Sequence, residues 1–225
     1  MKKYLVLSFD DGTIYDKRFI ELLNKYNIPA TFNLNSGLGD FVWYYEDRFP
    51  IRRMKIEECY NMFDNHEIAS HTLTHPYLTS LSKEELINQV CTDVDNLERT
   101  FNRKIESFGV PFSYCNEREI DIIKEHTPIK YLRLSYIKDK NDFTIPCDPY
   151  HFGINALYDD LDIYNQIKVF ADNKMEKSIF IIAGHSYEFE VKNHWDYIEN
   201  LIKYIKLFDE IQVVTFNNAA KELFE

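Results

Sequence analysis

The spacing of apolar residues switches between two periods along this chain. Tyr4-Leu5-Val6-Leu7 is a continuous apolar run with the length and content of a buried strand. Residues 16–26 instead place apolar side chains at 19, 20, 22, 23 and 26, the stripe of a helix, which Asn27 and Pro29 end. Ala30-Thr31-Phe32-Asn33-Leu34 predicts a second strand. Residues 35–53 predict a long loop, with Gly37, Gly39, Pro50 and a cluster of Phe41, Trp43, Tyr44 and Tyr45. A helix is expected over 55–65 and a short strand over Glu67-Ile68-Ala69-Ser70. Ser82 followed by Glu85 is a capping signature that opens a helix to about Phe101. The chain continues with a strand at 105–110, a helix from Asn116 to about 125, and a strand at Lys130–Leu134. An irregular stretch at 138–158 precedes a helix at 159–172. Ser178-Ile179-Phe180-Ile181-Ile182-Ala183 is the most apolar strand, and a helix at 194–208, a strand at 211–216 and a short helix at 217–224 complete the chain.

Strand and helix alternate from end to end, which predicts parallel strands joined by helical crossovers. About seven strands are expected, too many for a simple mononucleotide fold and close to a (β/α) barrel. No repeat, low-complexity segment or linker composition interrupts the pattern, so residues 1–225 are expected to form one domain. A domain of that length buries roughly 70% of its unfolded surface and needs no disulfide or metal merely to fold.

Composition narrows the partners. Lys and Arg number 26 against 37 Asp and Glu, a formal charge of −11 that argues against nucleic acid and anionic membranes as partners. No stretch approaches the 18 apolar residues of a membrane span. Cys59, Cys91, Cys115 and Cys147 are widely spaced and form neither a zinc pattern nor a disulfide framework. The N-terminus, Met1-Lys2-Lys3-Tyr4, runs straight into a strand without the features of a signal peptide, so a cytoplasmic location is expected, with secretion as the alternative if the chain is a trimmed form.

Candidate chemistry gathers where strands end. Ser8-Phe9-Asp10-Asp11-Gly12 leaves two adjacent carboxylates at the first strand end, a like-charge pair that a cation would relieve. His71 and His75 follow another strand end at a spacing that chelates one cation in a tight turn. That spacing alone fits a surface or core pair as well. With Asp11 as third donor, it becomes the one-carboxylate, two-imidazole set of a catalytic Zn²⁺, with Co²⁺, Ni²⁺ and Mn²⁺ as alternatives. Thr72 and Thr74 can orient the imidazoles. Asp10 is then left either as a general base or as a cap of the following turn. His185, after Gly184 at the end of the most apolar strand, is placed to act as a general acid. Pro111-Phe112 can aim a backbone N–H at an oxyanion. Trp43, Tyr187, Phe189 and Trp195 can stack on a sugar ring or pack in the core, and His151 and His194 are weaker candidates for lining the cleft. In α/β barrels such groups collect at the C-terminal ends of the strands.

Taken together, Ser8-Phe9-Asp10-Asp11-Gly12, His71-Thr72-Leu73-Thr74-His75, Val110-Pro111-Phe112 and Gly184-His185-Ser186 resemble the motifs of the polysaccharide deacetylases, the NodB-like domain of carbohydrate esterase family 4. The resemblance spans nearly the whole chain. It implies a distorted (β/α) barrel and metal-dependent removal of acetyl groups from N-acetylated sugars. By matching positions it implies Asp10 as base, Asp11, His71 and His75 as metal ligands, the Phe112 N–H in the oxyanion hole and His185 as acid. Tyr187, Trp43, Pro111 and Arg133 are the candidate substrate contacts. Three positions depart from the family. Gly109 stands where an Arg usually pairs with the base, Ser113 stands where glycine is common, and the Asp-rich, Trp-containing fourth motif is not recognisable near Arg133-Leu134-Ser135-Tyr136. Arg133 is the candidate substitute for the missing Arg. The expected function is therefore an N-deacetylase; an O-acetyl esterase acting on a substrate such as xylan, and a sugar-binding relative without catalysis, are the alternatives.

Overall fold

A computed structural model describes residues 1–112 and 115–225; Ser113 and Tyr114 lie outside the described residues. The strands are β1 (Lys2–Asp10), β2 (Thr31–Leu34), β3 (Val42–Tyr45), β4 (Phe49–Arg52), β5 (Glu67–Ser70), β6 (Ser107–Gly109), β7 (Tyr131–Ile137), β8 (Phe152–Ile154), β9 (Ala156–Leu157), β10 (Lys177–Gly184) and β11 (Ile211–Val213). The helices are α1 (Asp16–Tyr26), α2 (Lys83–Phe101), α3 (Glu117–His126), α4 (Ile163–Asp172), α5 (Tyr187–Val191), α6 (Trp195–Ile205) and α7 (Phe216–Phe224).

The main sheet runs β8-β7-β6-β5-β2-β1-β10-β9, every pair parallel, with β11 added against β1. Its two ends, β8 and β9, are consecutive in the chain and separated only by Asn155. The Asn155 N–H donates to Ile181 O and its Oδ1 accepts from Ile181 N, each at 2.8 Å. One bent segment therefore pairs with β7 on one side and β10 on the other, and nearly closes the sheet into a (β/α) barrel. Eight strands lie on that path, one more than the spacing predicts.

Three segments differ from the sequence pattern. The stretch read as a 35–53 loop contains the antiparallel hairpin β3–β4. The helix expected at 55–65 is one 3-10 turn, Ile56–Cys59. The irregular 138–158 stretch supplies β8 and β9, strands too short to leave a periodic signature.

Burial on both faces explains why β1 reads as an unbroken apolar run. Leu5, Leu7 and Phe9 pack outward under the helices, while Tyr4 and Val6 join Phe152, Ile179, Ile181 and Phe216 in the second core. The inward series continues through Ser8 to Asp10, because successive strand residues alternate sides. Helix α2 begins with a complete capping box, the Ser82 hydroxyl accepting from Glu85 N–H while Glu85 accepts from Ser82 N–H. Asn27 ends α1 in the left-handed conformation that Asn tolerates.

Candidate active site

A cleft of about 700 Å³ opens at the C-terminal ends of β1, β7 and β10. Asp10, Asp11, His71, His75, Phe112 and His185 line it, from segments up to 175 residues apart in sequence. Strand order makes this possible: β10, β1, β2 and β5 are successive neighbours, so their ends lie side by side.

Asp11 Oδ1, His71 Nε2 and His75 Nε2 converge; one ligand atom from each lies within 4.8 Å of the others. Asp11 Oδ1 is 3.3 Å from His75 Nε2 and 3.9 Å from His71 Nε2. His71 Nδ1 lies 2.7 Å from Gly109 O; donation there leaves the lone pair on Nε2. Burial pushes the pKa of His71 well below its ordinary value, and the neighbouring His75 pushes the same way. His75 is also lowered by burial, against the pull of Asp11. Burial alone would raise the Asp11 carboxyl, but His185, Arg53, His71 and His75 outweigh it and hold it low. Two neutral imidazoles and an ionised carboxylate are the protonation states a divalent metal requires, and the donor set fits Zn²⁺.

Asp10 is held at one oxygen. Its Oδ1 accepts from Asn33 Nδ2 at 2.7 Å and from Arg133 Nη2 at 2.5 Å. Arg133 is 1% exposed and reaches Asp10 from β7. Gly109 and Arg133 face each other in register across β6 and β7. A Cβ on residue 109 would lie 2.6 Å from Arg133 Nη2 and 2.7 Å from the Asn33 amide. A side chain at position 109 would therefore enter the space that the Arg133 guanidinium fills from the neighbouring strand. Arg133, expected from the sequence both as a substitute for the missing Arg and as a substrate contact, is a buried partner of Asp10 that also borders the cleft.

His185 stands 3.9 Å from Asp11 Oδ2, with its side chain about one-third exposed. Its Nδ1 lies 3.4 Å from Glu188 Oε2, and Glu188 is anchored in turn by Lys192 at 2.9 Å. Burial works against the imidazolium, but Glu188, Asp11 and Asp10 prevail and raise the pKa to about 9. Tyr187 lies beside it, ring centroids 5.1 Å apart. Trp43 meets Tyr187 edge-on at 5.5 Å. Phe112 has φ +55°, packs its ring 4.4 Å from His75 and stacks at 3.9 Å on Tyr77. Pro111 is buried and does not line the cleft. His151, which bonds Asp148 and borders Glu117, and His194, which precedes α6 and meets the Tyr158 hydroxyl, do not line it.

Several participants lie outside the sequence motifs. Asn33, Asn35, Arg53, Asp93 and Glu188 surround the candidate residues without belonging to a motif. Asp93 is fully buried on α2, and its carboxylate accepts from Ser70 Oγ at 2.6 Å, Ser36 N at 2.7 Å and His71 N at 3.3 Å. Only Asn33 left a trace: polar Thr31 and Asn33 alternate with apolar Phe32 and Leu34, marking an inward polar face.

A parallel barrel with a carboxylate and an imidazole facing an Asp-His-His donor set defines the structural class. Residues 1–128 match the family model for polysaccharide deacetylase, and the chain belongs to that family. It is similar to the peptidoglycan-N-acetylmuramic acid deacetylase PdaC of Bacillus subtilis (strain 168), 27% identical over 146 residues, covering 64% of this chain and 29% of that protein. It is also similar to a chitooligosaccharide deacetylase of Sinorhizobium fredii, 29% identical over 86 residues, covering 37% of this chain and 34% of that protein. The chain thus spans about a third of the length of these two relatives. Among solved structures, a family 4 acetyl xylan esterase from Clostridium thermocellum in complex with a cobalt ion shares the fold. Its TM-score is 0.63 at 13% identity, over 97% of this chain and 91% of that one. A family 4 carbohydrate esterase from Bacillus anthracis gives a TM-score of 0.63 at 15% identity, over 98% and 83% of the two chains.

Proposed function

We propose that this chain is a metal-dependent hydrolase that removes the acetyl group from an acetamido sugar and releases acetate. The observation that carries the proposal is the meeting of Asp11 Oδ1, His71 Nε2 and His75 Nε2 in a cleft that Asp10 and His185 also line. These three residues would hold one divalent ion, Zn²⁺ by its donor preference. When bound, the ion supplies a Lewis acid for the acetyl carbonyl and lowers the pKa of adjacent water.

The chain's own residues then divide the proton work. Asp10 has one oxygen occupied by Asn33 and Arg133, which fixes the carboxylate plane and directs its second oxygen to the attacking water as general base. The Phe112 N–H stabilises the oxygen that becomes anionic as water adds to the carbonyl. His185, protonated at neutral pH, donates its proton to the departing amine nitrogen. The water supplies the hydroxyl that becomes part of acetate, so one amide bond breaks and one C–O bond forms. Trp43 and Tyr187 offer ring surface beside the reacting centre, the kind of face a pyranose stacks on.

The test combines metal analysis of the purified protein with acetate release from a panel of N-acetylated and O-acetylated glycans, with Zn²⁺, Co²⁺, Ni²⁺ or Mn²⁺ supplied. Metal-dependent acetate release from an N-acetylated member is expected. Sugar binding with no acetate released under any metal would overturn the proposal.

A further inference from the structure

We infer that Arg53, carried in by the β3–β4 hairpin, is a positioning residue that sets the geometry of the Asp11–His71–His75 donors; the inference rests on the metal-site proposal above. Arg53 belongs to no barrel strand, yet it is only 6% exposed. The chain around it is stitched to the turn after β1: Ile14 N donates to Arg52 O at 3.0 Å, and Met54 N to Gly12 O at 2.8 Å. This antiparallel bridge delivers the guanidinium to Asp11. There it grips one residue at two points, Nη2 to Oδ1 at 2.9 Å and Nη1 to the backbone oxygen at 2.6 Å.

The contact does not end at Asp11. Arg53 Nη1 also donates to Asn35 Oδ1, and Asn35 Nδ2 donates to the backbone oxygens of His71 and of Thr72, the latter at 2.7 Å. Thr72 Oγ1 then accepts from the His75 N–H at 3.0 Å. One hydrogen-bonded path therefore passes through all three donor residues. Three residues on it have left-handed backbones: Asp11 at φ +84°, Thr72 at +69° and His75 at +56°. A β-branched residue adopts that region only where its surroundings over-determine it. The Arg53–Asn35 path supplies such restraint to Asp11 and Thr72 directly. Arg53 approaches Oδ1, the oxygen that faces both imidazoles, so it also fixes which oxygen is presented. Hydrogen bonding of a ligating carboxylate in this way is how outer groups tune metal sites.

A guanidinium next to a cation site also carries charge, and charge alone predicts the opposite effect on affinity. The experiment separates the two by measuring Zn²⁺ affinity by chelator competition and recording visible spectra of the Co²⁺-loaded protein. It uses wild type, Asn35→Ala, Arg53→Lys and Arg53→Met. Asn35→Ala alters no charge and Arg53→Lys keeps it while losing the fork. Both are expected to bind Zn²⁺ on the order of tenfold more weakly and to change the Co²⁺ bands. Thermal melts of the metal-free proteins check folding, with Asn35→Ser as the milder variant should Asn35→Ala not fold. Wild-type affinity and spectra in Asn35→Ala (or Asn35→Ser) and Arg53→Lys, with tighter binding in Arg53→Met, would overturn the inference and leave a purely electrostatic Arg53. A wild-type protein that binds no metal would overturn the metal site itself.

Discussion

At the N-terminal ends of the strands, Tyr4, Val6, Tyr131, Phe152 and Ile179 pack against Phe216, Ala219 and Ala220 of α7. A few residues further along the same strands, β1 presents Asp10, β7 presents Arg133 and β10 ends in Gly184 before His185. The lower end is sealed: Phe216 N donates to Thr31 Oγ1 at 2.8 Å and Asn217 N to Glu67 Oε2 at 2.9 Å, which fastens the start of α7 beneath β2 and β5. The upper end is open and holds buried charges set against one another, Asp11 against Arg53 and Asp10 against Arg133. Apolar burial stabilises the fold in proportion to area, whereas a buried ion pair contributes little net stability after desolvation. The lower end should therefore govern folding and the upper end catalysis. Variants that split those two properties test the comparison.

The largest effect is expected at the upper end. Asp11→Ala or His75→Ala should abolish metal binding and acetate release together, measured by metal analysis and initial rates. Asp10→Asn should keep the metal and lower kcat by roughly 10²–10⁴-fold, the span of a lost general base. An Asp11 variant with full activity and no metal would break the assignment.

Phe216→Ala should act at the other end. Removing a fully buried aromatic costs about 3–5 kcal/mol, or roughly 10 °C in Tm for a chain of this size. The kcat of the molecules that remain folded should stay near wild type.

Gly109→Ala joins the two properties. Its Cβ would collide with Arg133 and Asn33, so both kcat and Tm should fall. Arg133→Met, which leaves Asp10 without its guanidinium, should lower kcat by about 10–100-fold, and the exchange of Gly109→Arg with Arg133→Gly should recover part of that loss. No recovery, with the double variant folded, would show that the Arg acts only from β7.

Smaller effects should appear in pH profiles. His185 has a raised pKa of about 9, so its proton is present below that value and lost as pH rises through it. The alkaline limb of kcat/KM should fall there, and Glu188→Gln should move it about one to two units lower. At the lower end, Lys130 and Lys221 hold Glu106 at a pKa of about 2. Such a depressed carboxylate stabilises the fold above its unfolded value and loses that contribution as pH falls towards 2. Glu106→Gln should therefore cost about 1–2 kcal/mol at neutral pH after solvent screening, and almost nothing in strong acid, as read from urea titrations.

Much of this architecture is local in origin, and it was legible for that reason. The β1 run, the α1 stripe and the Ser82–Glu85 cap each depend on residues within a few positions of one another. The Asp10-Asp11 pair and the His71–His75 spacing are likewise local, so the sequence marks them as candidates. The hairpin β3–β4 escaped because its outward face, with Val42, Tyr44 and Pro50, breaks the usual alternation of apolar and polar residues.

What tertiary structure alone decided are the partners. Arg133 reaches Asp10 because β6 and β7 pair with Gly109 opposite Arg133, a register that neither strand encodes by itself. Arg53 reaches Asp11 because an inserted hairpin folds back on the turn after β1. The barrel nearly closes at Asn155 because one short segment bonds to strands on both sides. A motif records which groups are available, but the pKa of a carboxylate such as Asp11 depends on charges a few ångströms away, and those come from segments as distant in sequence as that of His185. The sequence by itself determined the alternating elements and the candidate donors; the packing of distant strands determined which side chains hold them in place.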